Sequence, residues 1–578
     1  MKHLRLYGGA LLVASMMTLA GCNDFMDAPV PQGKISELDV LSPEYVDNLV
    51  IAAYAVYTTA EEINTSFTMW NFDVRSDDAY KGGHGTEDGD VFHALEVCQG
   101  IVPTAWNIND MWKRLYNCVG RANTALQVLE QMNESEYPKL KERIAEMRFL
   151  RAHGYFELKQ LYKNIVFITD PALPYDDYYT LSNTTYSNDQ GWQLIADDFQ
   201  FAYDNLPAVQ ADKGRPTKAS AAAYLAKTYI YKAYHQDNEK SYKVTSINAD
   251  DLKKVVEFTD PKIYTNYGLA PDMHDNFRPE EEYENGPESV WAAQYSQNDG
   301  TKSGNRNWAL GLVVPNIPGV TDGGCDFYKP SQNMVNAFRT DASGHPFFDT
   351  FNEKDYEPTV DNVDPRLFLT AGIPGFPYEF NEKYMVEKTP VWSRSNGLYG
   401  YYVNIKYNVD PDSGYLIKQS WYGTAMNHIV LRYSDVMLMR AEALIQLNDG
   451  RIQEAMDLIN QIRVRASQSL SVIGDYPEKY GVHFNVQPYS GITSQAEALK
   501  ALKFERRVEL AMECDRFFDL VRWGEAEQVL NKYYAEEADN CSIYKGATFV
   551  ADKHEYLPIP NAQVAASNGN YTQNIGGW

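Results

Sequence analysis

Two loop-rich stretches of this sequence carry the side chains best suited to gripping a flat, hydroxyl-bearing ligand. Asn64, Asp88 and Trp106 lie in the first, and Trp308, Cys325, Arg394 and Tyr422 in the second. An aromatic face covers apolar C–H surface, while amide, carboxylate and guanidinium groups satisfy hydroxyls. Trp106 follows Pro103 just ahead of an expected helix, where the scaffold would fix it. Cys325 falls in Thr321-Asp322-Gly323-Gly324-Cys325-Asp326-Phe327-Tyr328, a Gly-flanked turn where backbone can approach a ligand closely. Trp70 is a weaker candidate, because Phe67, Met69 and Phe72 around it suggest packing. Such chemistry is non-covalent. The chain has no Ser/His nucleophile motif, no HExxH and no Gly-rich phosphate loop, so no catalytic residue is assigned. A glycoside hydrolase stays as an alternative, since 78 acidic residues make carboxylate pairs inevitable by chance. The segment His84-Gly85-Thr86-Glu87-Asp88-Gly89-Asp90 offers oxygen ligands of the calcium type but lacks EF-hand spacing. It reads first as a solvated acidic loop, and no metal ligand or cofactor is assigned.

The bulk numbers narrow the partners. A formal charge of −26, with no basic stripe, disfavours nucleic acid and makes a neutral ligand easier to hold than a polyanion. Tyrosine is abundant, at 42 residues, and a core has little use for that many phenols, each wanting a polar partner. Most fit packing seams, which leaves a handful for a binding surface. Cys22, Cys98, Cys118, Cys325, Cys514 and Cys541 form no CxxC pair and no zinc spacing. With Cys22 modified an odd number remains, so a disulfide framework is not expected.

The first 22 residues run MKHLRLYGGALLVASMMTLAGC. Basic Lys2, His3 and Arg5 precede an apolar stretch too short and Gly/Ala-rich for a membrane span. It ends at Leu19-Ala20-Gly21-Cys22, which has the form of a bacterial lipobox. Cleavage before Cys22 would leave a lipidated N-terminus, and no later segment is long and apolar enough to cross a bilayer.

The elements that must position the loops are helical. Apolar residues at three- and four-residue steps predict helices over 107–132, 138–162, 190–206, 217–234, 428–447, 451–466, 494–515 and 524–534. Small residues such as Ala441, Ala443 and Ala455 recur at packing positions. The pattern alone fits degenerate tetratricopeptide-type hairpins and a generic helical bundle equally. From about 260 to 427 the chain turns rich in Gly, Pro, Asn, Asp, Tyr and Trp, with short strand-like runs at 289–293 and 401–406. Long loops of this kind are usually functional. The expected organisation is a signal peptide (1–21), an N-terminal helical part (22–260), a loop-rich ligand-binding part (261–427) and a C-terminal helical part (428–578).

Two C-terminal segments carry a resemblance. One runs Phe504-Glu505-Arg506-Arg507-Val508-Glu509 through Glu513-Cys514-Asp515-Arg516-Phe517-Phe518-Asp519-Leu520-Val521-Arg522-Trp523-Gly524; the other is Leu557-Pro558-Ile559-Pro560-Asn561. Glu505, Glu509 and Glu513 at four-residue spacing read as a buried structural clamp. With Arg75-Ser76-Asp77-Asp78, Trp112, Tyr116, Arg121-Ala122-Asn123 and Arg432-Tyr433-Ser434-Asp435, these segments resemble the SusD/RagB family of outer-membrane lipoproteins across essentially the whole chain. The terminal Ile575-Gly576-Gly577-Trp578 departs from the family's usual Pro-Gly-Tyr. The resemblance implies a mainly α, SusD-like fold with tetratricopeptide-type hairpins as scaffold and a loop-rich insertion carrying short strands. It implies no enzyme activity, a glycan ligand captured at the cell surface, and a SusC-like TonB-dependent transporter as partner. It also implies attachment to the outer membrane through the lipid anchor only. The placement of Asn64, Asp88, Trp106, Cys325, Arg394 and Tyr422 is similar to that in fructan-binding members, so a β-fructan is the first substrate expected. A lid for peptides or another nutrient is the alternative within the family.

Overall fold

In the computed structural model of the chain, residues 41–57, 73–236, 239–301, 304, 306–307, 312–418 and 422–578 are described. Cys22, Asn64, Trp70 and Trp308 lie outside them. The frame is built from paired helices: α1 (Pro43–Ala55), α2 (Asp90–Glu96), α3 (Trp106–Leu129), α4 (Leu140–Tyr162), α5 (Asn188–Asn205), α6 (Lys218–Ala233) and α7 (Ala249–Phe258). The C-terminal part adds α8 (Tyr433–Leu447), α9 (Ile452–Gln468), α10 (Gln495–Glu509), α11 (Arg516–Trp523) and α12 (Ala526–Glu537). Each of α3 to α6 packs on the next, α7 packs on α6 and α8, and α10 packs on α8 and α9. This is the mainly α, tetratricopeptide-like arrangement expected.

The hairpins follow from local chemistry. Ser187 and Gln190 form a reciprocal capping box at the start of α5, and Thr217 with Ser220 does the same for α6. Between helices, large and small side chains alternate. Phe199 of α5 stacks on Tyr224 of α6 at 4.7 Å between ring centroids, while Gly154 lets α4 close on Val119 of α3. Ala441, Ala443 and Ala455 are fully buried between α8 and its neighbours.

Two boundaries differ from the periodicity reading. Residues 428–432 form a strand, not the first turn of α8: β6 (His428–Arg432) pairs antiparallel with β2 (Ser289–Ala293). Its β-branched Ile429 and Val430 suit a pleated ladder, and the partner is distant in sequence. The predicted helix 494–515 also breaks at Glu509, because Met512 and Cys514 take positive φ (64° and 74°) in the turn to α11. Helices α1, α2, α7 and α11 lie outside the predicted ranges, α2 within the stretch expected to be loop.

The acidic clamp is buried. Glu505 meets Arg366 at 2.7 Å and Arg463 at 2.9 Å. Glu509 meets Arg366 at 2.8 Å, Arg432 at 2.9 Å and also Arg465. Glu513, beyond the helix end, reaches Lys406 at 2.5 Å and Arg432 at 2.7 Å. Arg506 bridges Asp435 (2.8 Å) and Asp519 (2.7 Å), and Arg507 meets Asp78 at 2.8 Å. So one helix, α10, joins the N-terminal Asp77-Asp78 segment, the insertion and α8. Buried charges persist only when paired in this way. The Leu557-Pro558-Ile559-Pro560 segment closes the body. The Leu557 N–H donates to the Leu161 carbonyl at the end of α4 (2.7 Å), and the Asn561 N–H donates to Pro103 O (3.0 Å) just before α3.

Candidate functional site

The site grows from a short antiparallel pair, β1 (Ala79–Gly82) with β3 (Phe327–Pro330), Gly82 lying opposite Phe327. Gly82 has φ +75°, and a Cβ there would stand 2.4 Å from the Asp326 carbonyl oxygen. Only glycine lets the acidic loop leave the strand at this point. The loop then folds around a cation supplied by the chain. Lys81 Nζ donates to the carbonyls of Gly82 (2.9 Å), Gly85 (2.9 Å) and Asp88 (2.5 Å). Burial lowers its pKa, while Glu96, Asp88 and Asp90 pull it back up. Three main-chain carbonyls of the loop are thus turned onto one ammonium. Among the described residues no group of three or more His, Cys, Asp or Glu side chains could hold a metal ion. The loop holds Asp88 half-buried, with its Oδ2 accepting the His84 N–H at 2.8 Å.

Asp326 is the second organiser. It is buried, and both its carboxylate oxygens accept from Lys329 Nζ, at 2.8 and 2.9 Å. Oδ2 also accepts the Arg394 N–H at 3.2 Å, and the Asp326 carbonyl accepts the Gly83 N–H at 2.9 Å. Burial raises the Asp326 pKa, against the pull of Lys329. Three loops, those bearing Asp88, Cys325 and Arg394, therefore meet at one residue, the first through the Asp326 carbonyl and the last through its carboxylate.

The predicted residues divide accordingly. Burial is the main cause that raises the Cys325 thiol pKa; Arg394 lowers it, and Asp88 and Asp326 raise it further, which puts these groups in one electrostatic neighbourhood. Cys325 itself is buried, its Sγ 3.9 Å from the Gly323 carbonyl. The neighbouring Gly324 is required by the chain and not by a ligand: a Cβ there would lie 2.2 Å from Pro315 O. Trp106 is the first residue of α3 and 49% exposed, its indole edge-on to Phe92 at 5.9 Å. Phe92 and Phe327 both border Gly89, which links this indole to the Cys325 turn. Tyr422 is buried in the β4 (Ile417–Lys418) and β5 (Tyr422–Gly423) pair. Its hydroxyl donates to the Asp322 carbonyl at 3.3 Å, and Lys418 Nζ lies 5.0 Å over its ring. It braces the 322–326 turn and does not offer an open face.

Lys81, Asp326 and Phe327 were not singled out from sequence. The signal for Lys81 was a lysine directly before Gly82-Gly83 and an acidic loop. Asp326 gave none beyond its place next to Cys325.

The helix-hairpin frame thus holds the Asp88, Cys325 and Arg394 loops together at Asp326. The chain belongs to the SusD family, whose pattern it matches over residues 287–578. Residues 24–230 match a second description, "Starch-binding associating with outer membrane". A SusD-like protein of Formosa agariphila is 25% identical over 474 residues, covering 78% of this chain and 76% of the relative. Among solved structures, a laminarin-binding SusD-like protein superposes with TM-score 0.63 at 21% identity, covering 93% of this chain and 99% of the other. Surface glycan-binding protein A of Bacteroides thetaiotaomicron, in complex with laminarihexaose, gives TM-score 0.63 at 19% identity, covering 92% and 99%. No helix among the described residues is long and apolar enough to cross a membrane.

Proposed function

We propose that this protein is a surface glycan-binding module, anchored to the outer membrane by lipid on Cys22, that captures oligosaccharide and delivers it as a lid to a SusC-like TonB-dependent transporter. The observation that carries the reading is the gathering of Asp88, Arg394 and the Cys325 turn around Asp326, beside the half-exposed Trp106. An indole face suits the C–H surface of a sugar, and a carboxylate with a guanidinium suits its hydroxyls. Asn64 and Trp308 are further contacts in this reading, while Cys325 and Tyr422 shape the floor. The protein holds its ligand without covalent chemistry.

A β-fructan is the first ligand class to test. A laminarin-type β-glucan is the second, favoured by the ligands named for two structural relatives. Calorimetric titration with levan, inulin and laminarin oligosaccharides, and with a peptide panel, tests the reading. Saturable binding of one glycan class with no new reducing ends is expected. Binding of peptides alone, or release of reducing ends by the purified protein, would overturn it.

A further inference from the structure

Away from the loop face, a cavity of about 110 Å³ lies between α4, α6 and the β2–β6 ladder. Arg506 pairs with Asp435 and Arg432 with Glu513, whereas Glu157 has no Lys or Arg at ion-pair distance among the described residues. Lys227 Nζ is 2.9 Å from Asp515 and 3.4 Å from Asp435, so it is already shared when Glu157 turns to it as well. Burial pushes the Glu157 carboxyl up to about 8, and Lys227 is the charge that pulls it back. Glu157 Oε1 lies 3.3 Å from His153 Nε2, and His153 Nδ1 pairs with the Tyr224 hydroxyl at 2.6 Å. Glu157 Oε2 and His428 Nδ1, both lining the cavity, are buried with no hydrogen-bond partner among the described residues. Burial depresses both imidazoles, His153 to about 3 and His428 to about 4, so both stay neutral at pH 7 and neither repels a cation. Trp291, edge-on to His153 at 5.0 Å between centroids, adds an aromatic wall.

Glu157 holds its proton at pH 7, and a compact cation that brings its own donors is matched to this acceptor-rich, aromatic-walled chamber by displacing that proton and pairing with the carboxylate. We infer that this cavity is a binding site for a small primary ammonium ion, its N–H groups donating to Glu157 Oε2 and His428 Nδ1. A metal ion is a poor fit, since no cluster of three or more His, Cys, Asp or Glu ligands exists among the described residues. A quaternary ammonium has the charge but no donors. The site is separate from the glycan reading and stands or falls without it.

The test is calorimetric titration or saturation-transfer NMR of the full mature chain with methylammonium chloride, with tetramethylammonium and sodium chlorides as controls. Saturable binding of methylammonium alone is expected. Glu157→Gln should weaken it about tenfold or more, as loss of a charged hydrogen bond does, and His428→Phe severalfold. Glycan affinity should stay unchanged in both variants. No saturable binding of methylammonium, equal binding of tetramethylammonium, or undiminished affinity in a folded Glu157→Gln or His428→Phe protein would each overturn the assignment.

Discussion

The buried clamp gives the sharpest stability test, through Glu509→Gln. Glu509 is fully buried, and its oxygens accept from Arg366 Nη1 (2.8 Å), Arg432 Nη1 (2.9 Å) and Arg465. Glutamine keeps the shape but removes the charge, and it turns an N–H₂ donor toward one of those guanidiniums. Removing one partner of a buried ion pair costs about 3–5 kcal/mol. Here some charge is recovered, because Asp364 and Glu505 still face Arg366 and Glu288 still faces Arg432 and Arg465. The loss should therefore fall near the low end, about 3 kcal/mol. Equilibrium urea unfolding at pH 7 measures it directly. The pH dependence has a defined sign. The three arginines hold the Glu509 carboxyl far below the usual carboxylate range, so its stabilisation is complete above the unfolded value of about 4.3 and fades as pH falls toward the folded one. The gap between wild type and variant should narrow on acidification below about pH 4. A gap under about 1 kcal/mol at pH 7, or one that widens in acid, would show that the clamp is not what joins the C-terminal helices to the insertion.

Other outcomes follow from the site. Gly82→Ala forces a Cβ to 2.4 Å from Asp326 O at φ +75°, so thermal or urea unfolding should show a loss of about 1–3 kcal/mol together with weaker glycan binding. Asp326→Asn leaves the buried Lys329 ammonium without its carboxylate; the melting temperature should fall, and glycan affinity should drop more than in a distant variant of equal stability. Cys22→Ala should move the protein from the membrane fraction to the soluble periplasmic fraction, read by fractionation and immunoblot.

What could be read from the sequence depended on how local the physics was. Helices α3 to α6 and α8 to α10 were legible because their apolar periodicity and recurring alanines act within a few positions. The strand His428–Arg432 was not, because its identity rests on a partner in 289–293 and its apolar run joins smoothly onto the periodic face of α8. The break after Glu509 was hidden for a similar reason. Leu510 to Cys514 keep a helical pattern, yet the chain must turn so that Glu513 can reach Lys406. At the site, residue type pointed to Asp88, Trp106 and Arg394 as loop groups. It could not distinguish a displayed ring from a plug: Trp106 is half-exposed, while Tyr422 is buried under Lys418. Lys81 and Asp326 escaped notice because their work is done against backbone carbonyls and amides, which leave no pattern of side-chain types.

The most direct test of the account is the affinity of Trp106→Ala, Asp88→Ala and Arg394→Ala for whichever oligosaccharide binds the wild type, measured by calorimetry on proteins with matched melting temperatures. A ligand gripped on this face predicts about tenfold or greater weakening for Trp106→Ala and clear losses for the other two. Wild-type affinity in all three would place the glycan elsewhere on the molecule.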